Sequence, residues 1–171
     1  MRLFFALWPD ASIAEQFSQA AGQLSLAEPS RRVNPKNFHL TLAFLGEVAD
    51  SRLAALQQIG HSLRAPCFSI ACDSMEYWRE PRVIVAAAQN CPPEFLDLGR
   101  RLGAALGLPP APLRAHVTLA RKVAQAPVLQ AMSPIIWRAT HFSLIRSETG
   151  GAESAYTVQG TWPLLYETQN P

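Results

Sequence analysis

The chain reads as short apolar runs separated by amphipathic stretches. Residues 2–8 form a compact apolar run closed by Pro9, which predicts a buried strand. Asp10 is placed to cap a helix, with Ser12 and Glu15 spaced as a capping box one turn in. Ile13, Phe17, Ala20, Ala21 and Leu24 recur at helical spacing, and Pro29 ends that helix. Residues 31–37 are a basic loop or short strand, and they lead into an apolar strand over residues 38–46 that Gly46 closes. Asp50 predicts the cap of a second helix, with Leu53, Leu56, Ile59 and Leu63 on one face and Pro66 as its stop. Residues 67–78 and 82–88 are both β-rich, and the turn-like Arg79-Glu80-Pro81 between them predicts an antiparallel pair. Pro92 and Pro93 open a third helix, with Phe95, Leu98, Leu102, Ala105 and Leu106 as its apolar stripe. Gly107 and the prolines of residues 109–112 end it. A strand over residues 115–121, a short helix over 127–132, a long strand over 135–148, a turn at 149–152 and a returning strand over 156–165 complete the pattern.

These elements fall into two rounds. Each round has a helix, a proline-bearing loop, an apolar strand that opens on a histidine, and further strands. The repeat predicts an α+β fold of two pseudo-symmetric lobes, each an antiparallel sheet with helices packed outside, around a central cleft. Residues 1–171 are then a single two-lobed domain, which suits a chain of 171 residues.

The two histidine strands carry the candidate chemistry. One reads His39-Leu40-Thr41-Leu42-Ala43 and the other His116-Val117-Thr118-Leu119-Ala120. Side chains alternate across a strand, so His39 and Thr41 share one face while Leu40 and Leu42 take the other, and the second copy behaves alike. A lone His-x-Thr is an ordinary polar strand face. At a given position His-x-Thr-Leu is expected on the order of once in 10⁴, so two copies in matching contexts carry weight that one does not. A third segment, His141-Phe142-Ser143-Leu144, lacks the helix-and-proline context and reads as structural or peripheral. His61 sits among polar neighbours in the second helix and reads as exposed.

Composition narrows the partners. Apolar residues are 49% of the chain, enough for a sizeable core, and the net charge is only +2. No broad basic field of the kind that drives nonspecific duplex binding is present, although a small or single-ended anionic substrate suits the charge. No apolar run approaches the ~20 residues of a membrane helix. The first ten residues are too short and too abruptly broken for a signal peptide. Cys67, Cys72 and Cys91 show no Cys-x-x-Cys spacing and read as thiols in a reducing cytoplasm.

Two imidazoles across a cleft suit acid–base work. Histidine titrates near about 6.5, so one ring can take a proton from a nucleophile while the other gives one to a leaving oxygen. Thr41 and Thr118 can hydrogen-bond the non-bridging oxygens of a phosphate. The histidine spacing offers no His-Glu-x-x-His or cysteine cluster, and there is no Gly-x-x-x-x-Gly-Lys loop, so neither a zinc site nor direct ATP hydrolysis is expected.

With residues 2–7 and 37–48, the paired motif resembles the two-histidine phosphoesterases, and within them the bacterial RNA 2′,3′-cyclic phosphodiesterase, or 2′-5′ RNA ligase, family. The resemblance runs over nearly the whole chain, including the segment from Ser147 through a glycine-bearing turn to Tyr156 and Gly160. It implies hydrolysis of an RNA or nucleoside 2′,3′-cyclic phosphate to the 2′-phosphate with no metal and no cofactor, with reversible 2′-5′ ligation in some members. It implies His39 as the general acid on O3′, His116 as the general base on water, and Thr41 and Thr118 on the phosphate. Five residues after each histidine, Phe44 and Arg121 would flank the nucleobase. Strict alternation puts Phe44 opposite His39, so it reaches the site only through a bend or bulge near Gly46. Arg31, Arg32 and Lys36 are candidates for an RNA backbone, with a solvated basic loop as the alternative. The implied partners are RNA ends or small nucleotides bearing the cyclic phosphate, met by a monomer in the cytoplasm and not at a membrane. A noncatalytic nucleotide-binding module of the same fold, or a diesterase for another cyclic or 2′-5′-linked nucleotide, remains open.

Overall fold

The computed structural model describes residues 1–148 and 155–165. Its elements run β1 (Arg2–Leu7), α1 (Ala11–Gly22), β2 (Arg31–Arg32), β3 (Leu40–Glu47), α2 (Leu53–Ser62), β4 (Phe68–Cys72), β5 (Ser74–Trp78), β6 (Val83–Ala87), α3 (Pro93–Ala105), β7 (His116–Arg121), β8 (Ile135–Ala139), β9 (His141–Glu148) and β10 (Ala155–Pro163). Two four-stranded sheets, in the orders β10-β9-β1-β3 and β2-β7-β6-β5, are joined by a β4-β8 ribbon. Every strand pair is antiparallel.

The helices cross between the lobes. α1 arises from the first sheet yet packs beside β7 of the second, and α3 arises from the second yet packs on β3 of the first. α2 lies on β10 and β9. This reciprocal exchange gives one continuous core, in which Leu3, Phe5, Leu7 and Leu40 of the first sheet join Ile84, Ala86 and Val117 of the second. β1 is buried on both faces, and its other face forms a separate cluster of Phe4, Ala6 and Ile145 with Trp8 and Tyr156. β6 does the same through Val83, Val85 and Ala87 with Trp78. Each sheet therefore has one face in the shared core and one apolar floor turned away from it.

Local chemistry fixes the helix ends. Asp10 caps α1, accepting from the Ile13 N–H at 2.9 Å and from the Ser12 hydroxyl at 2.8 Å. That leaves Ser12 as a support for Asp10 and not as a capping-box partner, while Glu15 accepts from Gln19 instead. Asp50 opens a single 3₁₀ turn ahead of α2 and pairs with the N-terminal ammonium at 3.5 Å. Leu56 and Leu63 are buried as their spacing predicts, with Leu53 and Ile59 half-buried against the same core. Gly60 is buried too, and lies under the Trp162 indole where a Cβ would come within 2.5 Å of the ring. Pro93 opens α3 as expected.

Three expectations are corrected. Residues 67–78 are not one strand: β4 pairs with β8, and only β5 pairs with β6. Residues 135–148 are likewise divided, at Thr140, between the β4-β8 ribbon and the first sheet. Residues 127–132 form no helix; six residues between Pro127 and Pro134 are too few to nucleate one, and Val128 is 94% exposed. The turn expected at 149–152 lies outside the described residues. No helix among the described residues is long and apolar enough to cross a membrane. Cys67, Cys72 and Cys91 are free, and burial pushes the Cys72 thiol up to about 12, which leaves it unreactive.

Candidate active site

The second histidine segment is strand from His116 on, whereas His39 lies just ahead of β3, after a 3₁₀ turn over Pro35–Asn37. Thr41 lies opposite Ala6 and Thr118 opposite Val85, while His116 lies opposite Ala87. Directly opposed residues share a face. Thr41 therefore stands on the Phe4–Ala6 floor, and His116 and Thr118 stand on the Val83–Val85–Ala87 floor.

The same irregularity then interrupts each strand. The partner of Phe5 is Ala43, so Leu42 is an extra residue in β3; the partner of Ile84 is Ala120, so Leu119 is an extra residue in β7. Each is a β-bulge, and the Leu-Ala shared by the two segments is the bulge itself, with both residues buried. A bulge reverses the alternation that follows it. Phe44 now opposes Phe4, and Arg121 follows core-facing Ala120 onto the face of Val83. The bulge that brings Phe44 to the histidine face thus lies at Leu42, earlier than the Gly46 end; a second irregularity occurs nearer Gly46. Phe44 is 48% exposed, with the Arg2 guanidinium 4.9 Å from its ring centre.

Backbone carbonyls tether the two imidazoles alike. Nδ1 of His39 lies 2.7 Å from the Asn37 carbonyl, and Nδ1 of His116 lies 2.8 Å from the Arg114 carbonyl. A carbonyl can only accept, so each Nδ1 carries the hydrogen and each Nε2 is the nitrogen left to exchange protons. Thr41 and Thr118 are half-buried, and their hydroxyls make no hydrogen bond among the described residues.

Beyond that tether the surroundings differ. Trp8 stacks on His39 at 5.3 Å with an interplanar angle of 12°, Phe4 lies at 5.0 Å, and Tyr156 meets it edge-on at 5.3 Å. Burial in this aromatic cage pushes His39 down to about 4, against the Asn37 carbonyl and with help from the charges of Arg121 and His116. His116 packs against Trp78 at 4.5 Å. Behind it Glu76 accepts from the Trp78 indole at 2.8 Å and from Arg114 at 2.8 and 3.2 Å. Burial again lowers His116 most, the Arg114 carbonyl opposes it, the Arg114 and Arg121 charges add to it, and Glu76 pulls the other way. The Arg121 charge adds to the lowering of both rings.

The site thus gathers His39, Thr41 and Phe44 from one sheet and His116, Thr118 and Arg121 from the other. Arg31 opposes Arg121 and shares its face. Arg32 does not; its guanidinium binds the Ala21, Gly22 and Leu24 carbonyls at 2.7, 3.3 and 2.6 Å, closing the end of α1. Lys36 belongs to a short turn whose backbone is held by Asn34. His141 opens β9 with Nδ1 3.2 Å from the Thr140 hydroxyl, and exposed His61 meets Trp162 edge-on. Sequence reasoning missed Trp8, Phe4, Tyr156, Trp78 and Glu76. Trp8 and Phe4 were readable, since both fall on the alternate face of β1; Tyr156 arrives through a pairing that no local signal announces. Among the described residues, no group of three or more His, Cys, Asp or Glu is placed to hold a metal ion.

Two bulged strands presenting tautomer-fixed imidazoles across a cleft define a two-histidine phosphoesterase. The chain belongs to the LigT like phosphoesterase family, whose pattern matches residues 7–85. It is 31% identical to the RNA 2′,3′-cyclic phosphodiesterase of Thermus thermophilus over 92% of this chain and 87% of that protein. It is 29% identical to the protein of the same name from Escherichia coli, covering 95% and 96% of the two chains. The crystal structure of E. coli LigT complexed with 3′-AMP superposes with a TM-score of 0.84 at 30% identity, over 95% of this chain and 97% of that one.

Proposed function

We propose that this protein is a metal-independent RNA 2′,3′-cyclic phosphodiesterase, working as a monomeric two-lobed domain in the cytoplasm. The carrying observation is the pair of imidazoles from opposite sheets, each with Nδ1 tied to a carbonyl and Nε2 left for chemistry. The names of the relatives supply the substrate class, and three free thiols fit a reducing compartment.

In the proposed reaction, water attacks phosphorus while one Nε2 takes its proton. The P–O3′ bond breaks, the other Nε2–H protonates O3′, and the product is a 2′-phosphate with a free 3′-hydroxyl. Thr41 and Thr118 hold the non-bridging oxygens, and Phe44 and Arg121 flank the terminal nucleobase. The reverse step, with a ribose hydroxyl as the entering group, would give 2′-5′ ligation. The family likeness makes His39 the acid and His116 the base. A second reading exchanges them, and it is favoured by His39, which at about 4 stays neutral at pH 7, whereas Glu76 supports the protonated form of His116. In the first reading, the arriving phosphodiester anion must raise His39 into its protonated form.

The test is turnover of a nucleoside 2′,3′-cyclic phosphate in excess EDTA. Full activity and a 2′-phosphate product are expected. Binding of a 2′-nucleotide with no turnover would instead identify a binding module.

A further inference from the structure

A cavity of about 420 Å³ opens beyond Arg121, lined by Arg82, Lys122, Val83, Pro29 and Pro81 besides Arg121 itself. We infer that this cavity is a subsite for the nucleotide preceding the cyclic phosphate, taking its phosphodiester on Arg82 and Lys122 and its ribose or base on the proline and valine wall. The inference rests on the diesterase reading and names its substrate as an RNA end of two or more nucleotides.

Three observations carry it. First, the lining holds three cations and no carboxylate, and none of the three makes an ion pair among the described residues. Arg31, across the ladder from Arg121, adds a fourth charge on that face. In a chain of net charge +2 this is local concentration and not a general basic surface. Second, Arg82 and Lys122 are the non-glycine residues that the described chain holds in the left-handed region, with φ of 64° and 58°. The Val123 N–H donates to the Arg82 carbonyl at 3.0 Å, and the Arg82 N–H to the Arg79 carbonyl at 3.1 Å, so both unusual conformations belong to one braced corner at the cavity. Non-glycine residues held in such backbone cluster at active sites and ligand clamps. Third, Arg121 lines this cavity and, past the Leu119 bulge, lies on the same sheet face as His116 and Thr118. A ligand whose cyclic phosphate lies between His39 and His116 therefore has this cavity as its next neighbour. A chain extended on the 5′ side of the cyclic phosphate has a second nucleotide and a phosphodiester to place there, which a mononucleoside cyclic phosphate lacks.

The experiment compares a trinucleotide ending in a 2′,3′-cyclic phosphate with the matching mononucleoside cyclic phosphate. Turnover is measured in parallel with calorimetric binding of the two 2′-phosphorylated products. The trinucleotide is expected to show kcat/KM about tenfold higher or more, mainly through KM, as one charge-assisted phosphate contact supplies. Its log–log salt slope is expected to be steeper by about 0.7 for each added phosphate contact. In R82Q/K122Q the ratio between the two substrates falls towards one and the slopes converge. Equal kcat/KM values in the wild type, or a preference that survives the double substitution, would overturn the inference while leaving the diesterase reading intact. If neither substrate turns over, yet the trinucleotide product binds more tightly and loses that advantage in R82Q/K122Q, the diesterase reading fails and the subsite stands.

Discussion

His39 and His116 occupy the same motif, on strands bulged at the same step, with the same Nδ1 tether. Their surroundings are unlike. His39 sits in a cage of Trp8, Phe4 and Tyr156, with no carboxylate among the groups that shift it. His116 leans on a single tryptophan that is itself held by a Glu76–Arg114 pair. Position is therefore set by the repeated backbone device, and protonation by what each lobe packs behind the ring. Proton affinities set apart by their surroundings assign one ring as acid and the other as base, and duplicated strands alone would not supply that difference.

The largest effect that probes this comparison is the loss of either ring. His39→Ala and His116→Ala should each lower kcat by about 10²–10⁴, the usual contribution of a positioned proton-transfer group. A substrate with sulfur in place of O3′ separates the roles, because a thiolate leaves without protonation. The variant lacking the acid regains most of its lost rate on that substrate, and the variant lacking the base does not. Equal rescue of both variants would break the division of labour altogether.

A smaller effect appears in stability. His39 has a folded value of about 4 against an unfolded value near 6.5. Between those limits the unfolded chain binds the extra proton, so stability rises with pH across this window and is lost as pH falls through it. The span corresponds to a loss of order 3 kcal/mol at its acid end. Burial lowers His116 as well, so it acts in the same direction. Melting temperatures from pH 4 to 7 should therefore climb in the wild type, and His39→Ala should flatten the climb more than His116→Ala. An unchanged slope in His39→Ala would show that the aromatic cage does not exclude the charged form.

The same contrast between backbone device and packing explains what the sequence made legible. The paired His-x-Thr segments, the Asp10 cap and the proline-opened α3 are local signals, and each is where its residues predict. Pairing partners are not local. Residues 67–78 have uniform strand character, and nothing in them announces that Phe68–Cys72 joins Ile135–Ala139 while Ser74–Trp78 joins β6. The bulges were half legible: Leu42-Ala43 and Leu119-Ala120 are two consecutive apolar residues where alternation asks for one, and both pairs are buried. That violation is what carries Phe44 and Arg121 to the histidine face, so the break in pattern was itself the functional signal. Tyr156 reaches His39 only because β10 pairs with β9, and β9 with β1.

The finest test acts on His116 alone. Glu76 is ionised, its carboxylate held below the usual range by the Trp78 indole and then by Arg114. It raises His116, and it is not among the groups that shift His39. In Glu76→Gln that support is lost while the Arg114 charge, which lowers His116, stays. The affinity of His116 for its proton must therefore fall, and the limb of the pH–rate profile that belongs to His116 must move to lower pH while the other limb stays. The pair is partly exposed, so the change in rate should be within about tenfold. Which limb moves identifies the role. A base must be unprotonated, so if His116 is the base the acidic limb moves outward and the rate at pH 7 is nearly preserved. An acid must be protonated, so if His116 is the acid the basic limb moves inward and the rate at pH 7 falls. Movement of both limbs together would mean that the two rings titrate as one coupled unit, and the contrast between the lobes would then hold for their packing and not for their protons.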